Sequence, residues 1–277
     1  MGLYTFDQIK TTISFFYDSS LKYYLTLMSI LIIIVITTFV FMHAIEIAAF
    51  GARIAGRMTK RVALGTTLTQ TISTASRFLL IMFLPALAYL VESGISITNY
   101  LVLVIMAYIL TFIVSIVIVF RVNQLQKFFQ TVFHKYKHST IPIALLKSII
   151  IKKIDLEAYE FKNCDPFSLN KILLKKTFVS FLAYIFLITG FFISFMLAVL
   201  YPDSRLNLSQ FTAVFHGFGA VIFAFYLDPM LSRSIDTHSD DISWLQNVYS
   251  ILMGRMLSYL AVITLLLIFL LVQIYWS

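Results

Sequence analysis

The sequence predicts an all-α, polytopic membrane protein with about six transmembrane helices. Three observations predict it. The chain of 277 residues is 60% hydrophobic and only 12% charged, whereas soluble domains run about 45–50% apolar and about 25% charged. Six apolar stretches approach or exceed the roughly 20 residues that a helix needs to cross a hydrocarbon core. Lys and Arg gather in alternate loops between them. The single cysteine, Cys164, excludes an internal disulfide framework and a cysteine-based metal site.

The spans are expected at 23–50, 63–90, 98–120, 177–200, 208–228 and 248–274. The first is too long for a signal-peptide core and lacks a clear small-residue cleavage site, so it is expected to be retained. The second opens with unusual polarity, GTTLTQTISTASRF, and contains Pro85, which removes a backbone donor and predicts a kink. The third and fourth qualify by length and apolar character. The fifth carries His216-Gly217-Phe218-Gly219-Ala220 and ends at Asp228-Pro229. Its Ala213, Gly217, Ala220 and Ala224 form a small-residue lane suited to close helix packing. The sixth holds Arg255 near its start, either as an anchor at the cytoplasmic surface or as a ligand contact.

Loop charges give the orientation. Loops 51–62, 121–176 and 229–247 carry sixteen Lys and Arg, and the opposite side carries three. Both termini are therefore expected outside the cytoplasm. Residues 1–277 read as one membrane domain, with 121–176 as a basic cytoplasmic segment at the membrane interface. That segment holds eleven Lys and Arg against four Asp and Glu, so it supplies +7 of the net +8. A basic block so confined suits an anionic membrane surface or an anionic ligand rather than nucleic acid. Stretches such as LQKFFQTVFHKYK and IALLKSIIIKK read as amphipathic helices at the headgroup layer, Lys outward and Phe, Ile and Leu inward. The segment also divides the chain into two three-span halves. Leu68-Thr69-Gln70 and Leu208-Ser209-Gln210 open the middle span of each half, a short match of the kind internal repeats leave.

Ionisable groups inside spans are costly and mark function by default. His43, Glu46, Phe50, Arg53 and Arg57 are spaced 3, 4, 3 and 4, so on a helix they share one stripe. Nearby Ala48, Ala49, Gly51, Ala52, Ala55 and Gly56 suit close helix contact. In the second span Thr66, Gln70, Ser73, Thr74 and Arg77 lie within one broad face. Arg77 is expected to face a lumen or substrate, or to pair with Glu46. Asp228 belongs either to a local network with Arg233 and Asp236 or to transport. His43 and Glu46 could hold a metal only with ligands from other spans, and no clear third or fourth ligand is visible. The sequence contains no G-x-x-x-x-G-K-[ST] phosphate loop, no H-E-x-x-H and no G-x-S-x-G.

Segment 42–64, MHAIEIAAFGARIAGRMTKRVAL, resembles the signature of the Amj-type lipid II flippases, polytopic bacterial proteins that serve as an alternate to MurJ. Ser76-Arg77, Pro85, Asp228-Pro229, Asp236 and Gly254-Arg255 continue the likeness. The chain departs from the family pattern at Thr67-Leu68-Thr69-Gln70, at Leu80-Ile81-Met82-Phe83, at His216–Ala220 and in its last span. The resemblance implies a non-enzymatic, cofactor-free lipid II flippase in the bacterial cytoplasmic (inner) membrane. It would serve peptidoglycan synthesis, and through it cell wall biogenesis and cell shape. Its substrate would be an anionic polyprenyl-diphosphate lipid; protein partners are not identified. A diphosphate suits Arg forks, so Arg53, Arg57 and Arg77 lead the expected substrate contacts, with Arg61, His43, Glu46, Gln70 and Arg255 beside them. Glu46, His216 and Asp228 are the expected coupling or gating groups. The residues also admit a transporter of another lipid or a small anion, a membrane enzyme acting on a polyprenyl-phosphate lipid, and an assembly factor.

Overall fold

The computed structural model describes residues 6–136, 139–150, 172–237 and 241–276, and among them every regular element is helical. Helix α1 runs over Phe6–Met58 and α2 over Val62–Ser76. A 3₁₀ turn at Arg77–Leu79 joins α2 to α3, Leu80–Glu92. Helix α4 covers Ile97–Phe120, α5 Val122–Tyr136 and α6 Ile141–Ile150. Helix α7 covers Leu174–Leu200 and α8 Arg205–Ile222. A π-helical turn at Phe223–Leu227 links α8 to α9, Asp228–Thr237, and α10 covers Asp241–Trp276.

Six helical stretches are long and apolar enough to cross a membrane: Thr26–Met58, Val62–Glu92, Ile97–Phe120, Leu174–Leu200, Pro202–Ile235 and Ser243–Trp276. The protein is a multi-pass membrane protein. The fifth span is longer than its hydropathy suggests. Arg205, Asp228 and Arg233 interrupt the apolar run without interrupting the helical backbone. Pro85 lies inside α3. The irregularity of the second span falls upstream of it, at Arg77–Leu79.

Helix α1 is the hub of the first three spans and packs against α2, α3 and α4. Helix α7 packs against α8 and α10, and α10 returns to α4. An aromatic core lies where these meet. Phe39 stands 5.3 Å from Tyr108 and 4.9 Å from Phe192, centroid to centroid, near the 4.5–7 Å that edge-on aromatic pairs prefer. The Tyr100 and Tyr108 hydroxyls donate to the carbonyls of Phe192 and Ile188, at 2.7 and 2.8 Å, so both phenols are satisfied in this core.

Lipid supplies no hydrophobic drive between helices, so close approach relies on small residues. A Cβ on Gly56 would sit 2.7 Å from the Gly65 Cα, which is why α1 and α2 run so close. A Cβ on Gly254 would collide with the Thr177 carbonyl oxygen, between α10 and α7. The expected lane in the fifth span is corrected. Gly217 has nothing within 4 Å of a notional Cβ, and Gly219 instead lies against Leu187.

The described part of the basic segment is docked on protein. Phe129, Val132 and Phe133 of α5 and Ala144 of α6 share a small core with Ala52, Ala55 and Leu68 of α1 and α2. Ile143, Leu146, Ile149 and Ile150 of α6 stay exposed. Ile151-Lys152-Lys153, Cys164 and the four acidic residues of the segment fall within 151–171, outside the described residues.

Candidate functional site

The stripe on α1 turns into the bundle. His43 is 3% exposed and Arg53 4%. From α10, Arg255 reaches the same level and is 1% exposed. Its guanidinium donates to Glu46 Oε2 at 2.6 Å and lies 2.8 Å from His43 Nδ1. Its Nε–H donates to the Tyr259 hydroxyl oxygen at 2.9 Å, and its Cζ lies 4.6 Å from the Tyr184 ring centroid. Burial of a guanidinium is tolerated where hydrogen bonds, an ion pair and an aromatic face meet it, and Nε, Nη2 and the face of Arg255 are met in this way. The Ser76 hydroxyl completes Glu46 at 3.5 Å.

Two expectations are thereby corrected. Glu46 pairs with Arg255, not Arg77. Arg255 is no surface anchor, because α10 begins at Asp241, several turns before it, and carries it into the core.

A second buried pair lies farther along the stripe. Arg53 donates to Asp228 Oδ1 at 3.1 Å. Asp228 thus has a partner on α1 as well as its neighbours Arg233 and Asp236 along the chain, and the Asp236 side chain lies outside the described residues. Arg57 donates to the Ile235 carbonyl at 3.0 Å and sits over the Trp244 ring at 5.8 Å. Arg61 donates to the Phe133 carbonyl at 3.0 Å. Arg57 ties the end of α1 to α9, Arg61 ties the start of α2 to α5, and both lie outside the lining of the cavity described next.

A cavity of about 310 Å³ lies between these pairs. Its charged lining is Arg53, Arg77 and Arg255 against Glu46 and Asp228, three cations to two carboxylates. Thr69, Gln70, Ser73 and Thr74 line it with Arg77, so the polar face of the second span is the cavity wall. Opposite stand Ala220, Phe223 and Ala224 of the fifth span. The second and fifth spans do not pack along each other, and Gln70, Thr74, Arg77 and Ala224 are exposed in the gap. The cavity therefore opens sideways, between spans.

Arg77 begins fifteen residues beyond Val62, about 22 Å along a span at 1.5 Å per residue. That is well inside a bilayer core of about 30 Å. Arg53 and Arg255 each have a carboxylate. The Arg77 side chain has no hydrogen bond or ion pair among the described residues.

Below Arg77 is a smaller cavity of about 40 Å³, lined by His43, Glu46, Arg77, Tyr184 and His216 among others. His43 Nε2 and His216 Nδ1 are buried there or nearby without a hydrogen-bond partner among the described residues. No group of three His, Cys, Asp or Glu is arranged to hold a metal among the described residues.

Of the expected face, Gln70, Ser73, Thr74 and Arg77 line the cavity together, whereas Thr66 lies outside its lining and Thr69 joins it. Sequence spacing missed Tyr184 and Tyr259. Tyr259 was detectable, four residues from Arg255 on one helix face. Tyr184 sits in an apolar run that gives no signal.

Fold and site together define a multi-pass helical membrane protein with a charged, laterally open cavity at membrane depth. The family model for Amj, described as alternate to MurJ, matches residues 38–273, and the chain belongs to that family. The match spans the stripe of α1, the polar face of the second span, Asp228 and Arg255. Neither curated proteins nor solved structures gave a match.

Proposed function

We propose that this protein is a lipid II flippase of the bacterial cytoplasmic membrane. It carries the headgroup of the undecaprenyl-diphosphate-linked peptidoglycan precursor from the inner to the outer leaflet by alternating access, in service of cell wall synthesis and cell shape. The observation that carries the reading is Arg77, a cation whose side chain has no partner among the described residues, lining a cavity that already holds two Arg–carboxylate pairs. Such a group calls for an anion, and a diphosphate suits guanidinium geometry. The sideways opening favours a lipid over a soluble anion, because the tail can stay in the bilayer while the headgroup enters.

In this reading Arg77 and Gln70 contact the headgroup first. Arg53 and Arg255 are recruited from their carboxylates. His43 and Glu46 hold Arg255, and Glu46, His216 and Asp228 govern the transition. Arg57 and Arg61 act at the cytoplasmic rim by holding α1 to α9 and the start of α2 to α5. The basic segment faces the cytoplasm, where anionic lipid concentrates, and both termini lie outside it.

The test is outer-leaflet exposure of lipid II in cells that depend on this protein, with variants that reach the membrane at normal levels. Arg77→Ala is expected to reduce exposure by tenfold or more, on the order of one lost charge-assisted contact. Unimpaired exposure in both Arg77→Ala and Arg53→Ala would refute the cavity as the headgroup route.

A further inference from the structure

We propose that His43 is a proton-binding site linked to the charged cavity: as an anion draws Arg255 away, His43 takes up one proton and Glu46 exchanges Arg255 for His43. The inference rests on the anion-binding reading of the cavity and names how that site is coupled.

The geometry fixes the starting state. A guanidinium has donors and no acceptor. Its contact with His43 Nδ1 at 2.8 Å therefore requires Nδ1 to accept, which puts the single imidazole proton on Nε2. A proton on Nδ1 as well would turn the contact into two cations touching. His43 is thus neutral while Arg255 is docked. Glu46 Oε2 stands 3.5 Å from the same Nδ1 and 2.6 Å from Arg255. One carboxylate oxygen lies beside both candidate partners.

The exchange balances. The Arg255 N–H bonds to Nδ1 and to Glu46 break, and Arg255 turns to the anion in the cavity it already lines. A proton from water adds to Nδ1, and the new Nδ1–H donates to Glu46. Glu46 stays ionised and paired throughout, so no buried charge is left alone. Each proton taken up cancels one of the anion's negative charges, which lowers the charge added at membrane depth.

The remaining charged and titratable neighbours leave His43 as the acceptor. Tyr259 of α10 accepts from Arg255, and Tyr108 of α4 donates to the Ile188 carbonyl. Tyr184 of α7 lies under the guanidinium. Arg77 of the second span and His216 of α8 share the small cavity with His43. At about 40 Å³ that space exceeds the roughly 10–15 Å³ that one water needs, so it can pass a proton to the imidazole. Arg77 is a fixed cation. His216 is the rival acceptor, and the experiment separates it.

Purified full-length protein in detergent is titrated with inorganic diphosphate by calorimetry in two buffers of different ionisation enthalpy, which reads protons exchanged per anion bound. Phosphate oxygens titrate near neutrality themselves, so the quantity of interest is wild type minus His43→Gln. About one extra proton taken up by the wild type is expected. His216→Gln is expected to keep it. Because His43 binds its proton more tightly in the anion-bound state, affinity should rise as pH falls between its free and bound pKa values. The slope should reach tenfold per pH unit there and flatten outside it. If His43→Gln does not fold, ¹⁵N-histidine spectra of the wild type decide the matter. One imidazole converting to imidazolium on diphosphate addition, and still converting in His216→Gln, supports the exchange. No conversion, or conversion lost with His216→Gln, overturns it. Equal proton uptake by wild type and His43→Gln also overturns it while leaving the anion reading intact. A wild type that binds no diphosphate overturns both.

Discussion

Arg255 is the most deeply buried cation among the described residues, and its stability rests on partners from three helices. Removing one member of a buried ion pair leaves the other charge uncompensated and costs about 3–5 kcal/mol. Arg255→Met is therefore expected to lower the apparent Tm in detergent sharply. Glu46→Gln added to it should recover part of the loss, since the stranded carboxylate is gone. Equal Tm values for the single and double variants would contradict the pairing. At this scale the sequence revealed one side of each pair. His43, Glu46 and Arg53 could be read as a stripe because α1 is regular through them. Their partners, Arg255 and Asp228, stand on helices far along the chain, and spacing within one helix carries no information about them.

Helix irregularities decide what the elements present to the cavity. Each residue in an α-helix turns the chain by about 100°, so a π turn that inserts one residue re-aims everything after it. The π turn at Phe223–Leu227 immediately precedes Asp228, and the 3₁₀ turn at Arg77–Leu79 begins on Arg77 itself. This is why the aim of Asp228 toward Arg53 was not readable from a 3.6-residue period, whereas the face from Gln70 to Thr74, upstream of its irregularity, was. The α1–α2 turn offers a separate check. Lys60 has φ +56°, the left-handed region, which costs a non-glycine residue about 1–2 kcal/mol. Lys60→Gly is expected to raise the apparent Tm slightly, the gain being partly offset by a freer unfolded chain. Gly254→Ala is expected to do the opposite. Its new methyl meets the Thr177 carbonyl, and overpacking of that kind costs about 1–3 kcal/mol. An unchanged Tm for Gly254→Ala would mean that α7 and α10 are not in the close contact described.

At the scale of the whole molecule, the number and order of spans were readable because the hydrocarbon core imposes a length and forbids unpaired backbone groups. The docking of α5 and α6 was not, because amphipathic periodicity is the same whether the apolar face meets lipid or protein. Loop charge predicts that segment 121–176 is cytoplasmic, and the chain carries its own reporter there. Cys164 is its one cysteine. A membrane-impermeant thiol reagent should label it in inverted vesicles and not in right-side-out cells; the reverse pattern would invert the topology and the proposed direction of transport. The central claim is that the laterally open cavity around Arg77 carries the headgroup of lipid II. Its most direct test is lipid II translocation by the purified protein in liposomes, with Arg77→Ala compared against wild type and against Arg121→Ala at the exposed interface. The account predicts translocation by wild type and Arg121→Ala and a loss of tenfold or more in Arg77→Ala. Equal rates for Arg77→Ala and wild type would contradict it.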